Sequence, residues 1–294
     1  MTVESKETST EEAASEPEEP TLSISIDDMH FSYGTFPILK GIDVRIDKPE
    51  LISILGPNGV GKSTLIRCMN KILTPTEGAI YLNDKDLKDI TVKELAKVMG
   101  YVPCATASTF PITVTDAVLM GRFPHQKYGS QDRDLEIVYE TLDSMGITDL
   151  AMRSINELSA GQLQKVMVAK GLAQQPDILL LDEPTANLDI RHQLNVTHLL
   201  RDISRERKVI VIMICHDINI AAKYSDRIIL MSEGKIFSVG TPEEVITESN
   251  LEVVYGVKSK VVTDVGRPHV MLRDDDDECD DRRNKEFLTK INNS

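Results

Sequence analysis

Leu51-Ile52-Ser53-Ile54-Leu55-Gly56-Pro57-Asn58-Gly59-Val60-Gly61-Lys62-Ser63-Thr64-Leu65-Ile66 carries an apolar run into a glycine-rich turn and out into a helical pattern. A buried strand thus leads into G-x-x-x-x-G-K-[ST] and a helix follows, which is the context this motif requires. The glycines let the backbone wrap an anion, and the helix start offers unpaired N–H groups at the positive end of its dipole. Gly56, Pro57, Asn58, Gly59, Val60, Gly61, Lys62, Ser63 and Thr64 are therefore candidate phosphate-binding residues. Lys62 is expected to reach β- and γ-phosphates, and Ser63 to bind Mg²⁺.

Such a loop needs a partner, an apolar strand ending in an acid. Ile178-Leu179-Leu180-Leu181-Asp182-Glu183 provides it, and its unbroken apolar run marks a strand covered on both faces. Asp182 emerges where Mg²⁺ would sit. Glu183, one residue farther, is placed to orient or deprotonate an attacking water, because phosphoryl transfer depends mainly on positioning and charge stabilisation.

Outward from these segments, β-branched or apolar runs alternate with helical stretches, the pattern of an α/β domain with a largely parallel sheet. Strands are expected at Leu22–Ile26, Val44–Ile46, Leu51–Leu55, Ala79–Leu82, Val98–Val102, Ile178–Leu181, Val209–Ile214, Arg227–Met231 and Lys235–Val239. Turn signals at Tyr33-Gly34 and Asn83-Asp84 suggest antiparallel pairing among the first strands. From about Thr115 to Gln175 no strand stands out and successive helices are expected, with Gln131–Met145 the clearest. The reading is a helical insertion within an α/β domain.

Composition removes several alternatives. The 294 residues carry 33 Lys+Arg against 47 Asp+Glu, a net charge of −14, with 41% apolar and 4% aromatic residues. That is enough for a sizeable core. Residues 1–20 hold seven Glu and one Lys, and seven acids crowd Asp274 to Asp281, so the excess lies at the ends. Residues 1–20 read as a disordered acidic tail, 21–263 as the folded domain and 264–294 as an acidic C-terminal tail. The near-neutral middle offers no footprint for nucleic acid. The longest apolar run, Val209 to Cys215, is far short of a membrane span, and the acidic N-terminus lacks a secretory pattern. Cys68, Cys104, Cys215 and Cys279 form no C-x-x-C pair, so free thiols in a reducing compartment are expected.

Leu158-Ser159-Ala160-Gly161-Gln162 precedes a helix and is locally an S-x-x-Q capping box. With it, the order of motifs resembles the ATP-binding cassette (ABC) family, whose signature reads Leu-Ser-Gly-Gly-Gln, over about residues 22–260. Tyr33 stands at the family's adenine-stacking position. The phosphate loop, the signature, Asp182-Glu183, Ala186-Asn187-Leu188-Asp189 and His216 after strand Val209–Ile214 follow in order. The resemblance implies a P-loop NTPase (RecA-like) core with an antiparallel β subdomain and an inserted helical signature subdomain at about 105–175. It also implies ATP and Mg²⁺ as ligands, and a head-to-tail dimer in which Ser159, Ala160, Gly161 and Gln162 close over the γ-phosphate held by the other copy. His216 would contact the γ-phosphate and hold the water with Glu183, and Asp189 would line the interface near the opposite loop. His30, His125, His192, His198 and His269 have no such context and read as structural or exposed.

Two departures stand out. Ala160 replaces a glycine, which is tolerated if its φ is negative. Cys104, after Met99-Gly100-Tyr101-Val102-Pro103, stands where the family places a glutamine that touches Mg²⁺ and the attacking water; a thiol is a poor substitute, so either hydrolysis is slowed or water completes the coordination. Phe110–His125, and the stretch from His216 to Val257, are similar to segments of ATPases of iron-siderophore, haem and vitamin B12 importers. That similarity implies two permease subunits, an extracytoplasmic binding protein, and a peripheral place on the cytoplasmic face of the membrane. Rival readings are an importer ATPase for another metal or oxyanion, a soluble ABC ATPase that remodels protein or nucleic acid, and a nucleotide-gated docking protein with little catalysis.

Overall fold

A computed structural model describes residues 22–104, 111–126, 131–186 and 188–273. The tail expected at 1–20, residues 105–110 at the start of the expected helical insertion, Asn187 and the acidic run from Asp274 lie outside the described residues.

Along the chain, β1 (Ile24–Tyr33), β2 (Phe36–Ile46) and β3 (Leu51–Leu55) precede α1 (Lys62–Met69), then β4 (Glu77–Leu82), β5 (Lys85–Asp86), α2 (Val92–Val98) and β6 (Met99–Val102). Helices α3 (Val114–Leu119), α4 (Gln131–Ser144) and α5 (Ala160–Ala173) follow. The chain continues through β7 (Ile178–Leu181), α6 (Ile190–Glu206), β8 (Ile210–Ile214), α7 (Ile218–Tyr224), β9 (Arg227–Ser232) and β10 (Lys235–Gly240). It then forms α8 (Pro242–Val245), α9 (Glu248–Tyr255), β11 (Ser259–Asp264) and β12 (Arg267–Leu272).

The central sheet runs β10-β9-β3-β8-β7-β6, parallel except for the β9–β10 pair. Its inner strands are apolar on both faces. Leu51, Leu179, Leu181, Val211 and Met213 join the core beneath α5 and α6, while Ile52, Ile54, Leu180, Ile212 and Ile214 face α1 and the smaller sheet. This two-sided burial explains why the strands read as unbroken runs rather than alternations. The one polar break, Ser53, is fully buried and its Oγ shares a hydrogen bond with Ser225 Oγ at 2.7 Å, so the hydroxyl is satisfied.

The smaller sheet is antiparallel, β2-β1-β4-β5. Strands β1 and β2 run much farther than the short apolar cores Leu22–Ile26 and Val44–Ile46 suggest. They meet across Gly34, which turns at φ 59°. Their outer halves are partly exposed and carry Pro37 and Gly41, so hydropathy alone understates them.

Among the described residues the stretch from α3 to α5 contains no strand, only one bridge between Thr113 and Ser154. Gly121 and Arg122 bind this helical region together. A Cβ at Gly121 would lie 2.2 Å from the Lys170 carbonyl oxygen, so only glycine allows that approach to α5. The Arg122 side chain donates to Asp134 Oδ1 at 2.9 Å from Nε and to the Ala173 carbonyl at 2.8 Å from Nη1, capping the last turn of α5.

The boundary placed at residue 263 by charge needs correction, because it falls inside the β11–β12 hairpin. The turn is Val265-Gly266, with φ 48° and 77°, and a β-branched residue in that conformation gives no sequence signal for a tight turn. The hairpin docks on α7 through a reciprocal pair: Val270 N–H donates to Asn219 Oδ1 at 2.7 Å, and Asn219 Nδ2 donates to the Val270 carbonyl at 3.2 Å. No helix among the described residues is long and apolar enough to cross a membrane.

Candidate nucleotide site

Strands β3, β8, β7 and β6 are parallel neighbours, so the segments leaving their carboxyl ends converge on one edge of the sheet. Clefts at that edge are where open α/β sheets hold ligands. Here β3 delivers the loop Gly56–Thr64, β7 delivers Asp182 and Glu183, β8 delivers Cys215 and His216, and β6 delivers Pro103 and Cys104.

The loop is pressed into place. Gly56, at φ 145°, would put a Cβ 2.3 Å from the Met231 carbonyl oxygen on β9, and Gly61, at φ 103°, would put one 2.7 Å from Leu39 Cδ2 on β2. Gly61 is the residue before the first turn of α1, so its left-handed conformation turns the loop into the helix. Lys62 is buried and its Nζ donates to the carbonyls of Gly56 at 2.7 Å and Pro57 at 2.8 Å, which curls the ammonium over its own loop. Burial pulls the Lys62 pKa below the usual lysine range, and the carboxylates of Glu183 and Asp182 oppose that pull.

Asp182 is 4% exposed and faces two hydrogen-bond donors and one cation. Ser63 Oγ donates to Oδ1 at 2.8 Å, Tyr101 OH donates to Oδ2 at 3.4 Å, and Arg67 Nη2 lies 3.6 Å from Oδ2. A hydrogen bond to Tyr101 raises the Arg67 pKa, and burial raises that of Tyr101. Ser63 and Asp182 are hard oxygen donors side by side at the loop, a set that suits Mg²⁺, whose other positions would fall to phosphate oxygens and water.

Glu183 adopts φ 56°, a left-handed conformation that costs a non-glycine residue about 1–2 kcal/mol. Its side chain is held by His216, with Nε2 2.7 Å from Oε1. An ionised carboxylate only accepts, so Nε2 carries the proton in this pair. The turn is closed behind it by Ala186 N–H donating to the Glu183 carbonyl at 3.1 Å.

Cys104 lies close enough to both acids to feel their charge. Burial, then the charges of Glu183 and Asp182, push its thiol pKa up, which argues against a reactive thiolate. A protonated thiol beside two carboxylates is a weak donor where a carboxamide would offer two N–H groups and a carbonyl. Cys104→Gln is expected to raise ATP turnover roughly threefold to tenfold, the worth of one net hydrogen bond in the transition state. Steady-state phosphate release, with the partner subunits present, checks this; an unchanged rate would mean that water already completes the site.

Tyr33 ends β1, 47% exposed, packed edge-on to Phe31 with ring centroids 4.9 Å apart, and near enough to α1 to influence Arg67. A half-exposed ring near α1 is a suitable platform for a base.

The remaining candidates gather elsewhere. Ser159 caps α5: Gln162 N–H donates to Ser159 Oγ at 3.3 Å and Ser159 N–H to Gln162 Oε1 at 3.0 Å. Ala160 begins the helix in ordinary helical backbone, so its methyl carries no left-handed cost. Asp189 caps α6, accepting from His192 N–H at 2.9 Å. Among the described residues no hydrogen bond joins this group to the chain's own phosphate loop. Arg67, Tyr101 and His192 are the contacts that motif reading passes over, because each depends on which strands become neighbours.

Fold and site together define a phosphate-loop nucleoside triphosphatase with a helical insertion. The family model described as ABC transporter matches residues 39–186. An uncharacterized ABC transporter ATP-binding protein of Methanocaldococcus jannaschii is 44% identical over 84% of this chain and 97% of its own length. The iron(3+)-hydroxamate import ATP-binding protein of Bacillus subtilis is 37% identical over 82% of this chain and 91% of its own. Among solved structures, a metal-chelate type ABC transporter in an inward-facing conformation superposes with a TM-score of 0.74 at 26% identity, covering 86% of this chain and 98% of that one. A dimeric bacterial ABC transporter cassette gives 0.67 at 28% identity, covering 74% and 98%. The chain belongs to the ABC transporter ATP-binding family, and it is an ATPase of that family.

Proposed function

We propose that this chain powers a membrane importer for a metal chelate, an iron-siderophore, haem or cobalamin, and that it works as a head-to-tail pair on the cytoplasmic face. Two permease subunits would carry the cargo, delivered by an extracytoplasmic binding protein. The likeness to a hydroxamate-import ATPase and to a metal-chelate type transporter supports the cargo class.

The observation that carries the catalytic reading is the Glu183–His216 pair, 2.7 Å apart beside the phosphate loop. In that reading the loop N–H groups and Lys62 hold the β- and γ-phosphates and Tyr33 stacks on adenine. Ser63 and Asp182 would hold Mg²⁺, which neutralises charge developing on the phosphate oxygens. Glu183 takes a proton from water as the water oxygen bonds to the γ-phosphorus, and the bond to the β-phosphate oxygen breaks, leaving ADP and inorganic phosphate. His216 keeps the Glu183 carboxylate aimed and then contacts the γ-phosphate.

Ser159 and Asp189 each cap the start of a helix of more than eight residues, and such a start is an anion site suited to a phosphate held by another copy. In the Glu183→Gln variant, which would bind ATP without consuming it, saturating ATP and Mg²⁺ are expected to convert monomer to dimer in analytical ultracentrifugation. A variant that stays monomeric both alone and with its permease subunits overturns the reading.

A further inference from the structure

His192 lies on the first turn of α6, and its imidazole bridges two motifs that are separated in sequence. Its Nδ1 is 2.8 Å from Asp189 Oδ1, and since the ionised carboxylate only accepts, Nδ1 carries the proton and donates. The same carboxylate oxygen also accepts the His192 backbone N–H at 2.9 Å. The other edge of the ring faces the signature turn. A Cβ built on Gly161 would meet His192 Cδ2 at 3.1 Å, Cγ at 3.3 Å and Nε2 at 3.5 Å.

That contact gives Gly161 a reason. It sits inside α5 in helical backbone, where alanine is favoured over glycine by about 1 kcal/mol, so no backbone conformation demands a glycine there. What the missing methyl provides is room for the imidazole. The ring therefore touches the turn that Ser159 caps while its far nitrogen fixes the carboxylate of Asp189.

We propose that His192 is a positioning residue that joins the Asp189 carboxylate and the Ser159–Gln162 turn into one unit, so that both meet a second copy's nucleotide in register. This rests on the pairing proposed above. Without the imidazole, Asp189 keeps its backbone cap but loses one of the two hydrogen bonds that hold its Oδ1, and the signature turn loses its neighbour. Nothing in the chain's own phosphate loop changes.

The test uses the full-length Glu183→Gln protein as parent, with ATP-driven dimer formation followed by ultracentrifugation and monomer affinity by a fluorescent ATP analogue. Adding His192→Ala is expected to raise the ATP–Mg²⁺ concentration for half-maximal pairing at least tenfold, while affinity for the analogue stays within twofold. Adding His192→Asn instead, whose amide nitrogen takes the place of Nδ1, is expected to recover most of the pairing. The proposal falls if His192→Ala pairs like the parent, if it loses analogue affinity to the same degree, or if asparagine does no better than alanine. A parent that never pairs condemns the dimer reading by itself. Amide hydrogen exchange across residues 159–163 then decides on His192, since faster exchange in His192→Ala upholds the link and unchanged exchange removes it.

Discussion

Exchange of Glu183 for glutamine is expected to lower ATP turnover by about 10²–10⁴-fold, the range in which a positioned general base contributes. The amide is the same size as the carboxylate and can still engage His216 Nε2, now 2.7 Å away, but it cannot accept the proton of the attacking water. Nucleotide affinity is expected to stay within about twofold, because the loop, Lys62, Ser63 and Asp182 are untouched. Single-turnover phosphate release, together with equilibrium binding of a fluorescent ATP analogue, separates the two quantities. A loss of binding equal to the loss of rate would assign Glu183 to holding nucleotide. A rate close to that of the natural protein would place the base on another side chain.

The second large effect is on stability. Arg122 and Asp134 are 5% and 4% exposed and form a buried ion pair at 2.9 Å. Arg122→Met removes the cation paired with Asp134 and releases the Ala173 carbonyl, and breaking one side of a buried pair costs about 3–5 kcal/mol. For a domain of this size that corresponds to a melting point lower by roughly 6–20 °C. Differential scanning calorimetry reads it. The double variant Arg122→Met with Asp134→Leu is expected to regain most of the loss, because an apolar pair of similar volume carries no desolvation penalty. If the double variant melts no higher than the single one, the helical region depends on Arg122 through the α5 carbonyl rather than through Asp134.

The same pair illustrates how far sequence reading reaches. Gly121-Arg122-Phe123-Pro124-His125 is recognisable as a family-like segment, yet its physical basis is long-range: glycine for the approach to Lys170, arginine for Asp134 and the end of α5. Strands β3 and β7 are legible because complete burial writes itself as Leu51–Leu55 and Ile178–Leu181. Strands β11 and β12 are not, since their turn at Val265-Gly266 lacks the usual residues and their half-exposed faces blend into an acidic stretch. In the site, Lys62, Ser63, Asp182 and Glu183 announce themselves by motif and spacing. Tyr101 and Arg67 do not, because their meeting at Asp182 depends on β6 lying beside β7. His192 escapes for a like reason: the bond to Asp189 spans three residues, but the contact with Gly161 joins two separate helices.

Glu183 holds a backbone shape that glycine would occupy without resistance. A hardier protein therefore lies one codon away, and it would be idle. Breeding this ATPase for heat tolerance alone, with no demand for work, would push that position toward the very residue that ends its usefulness.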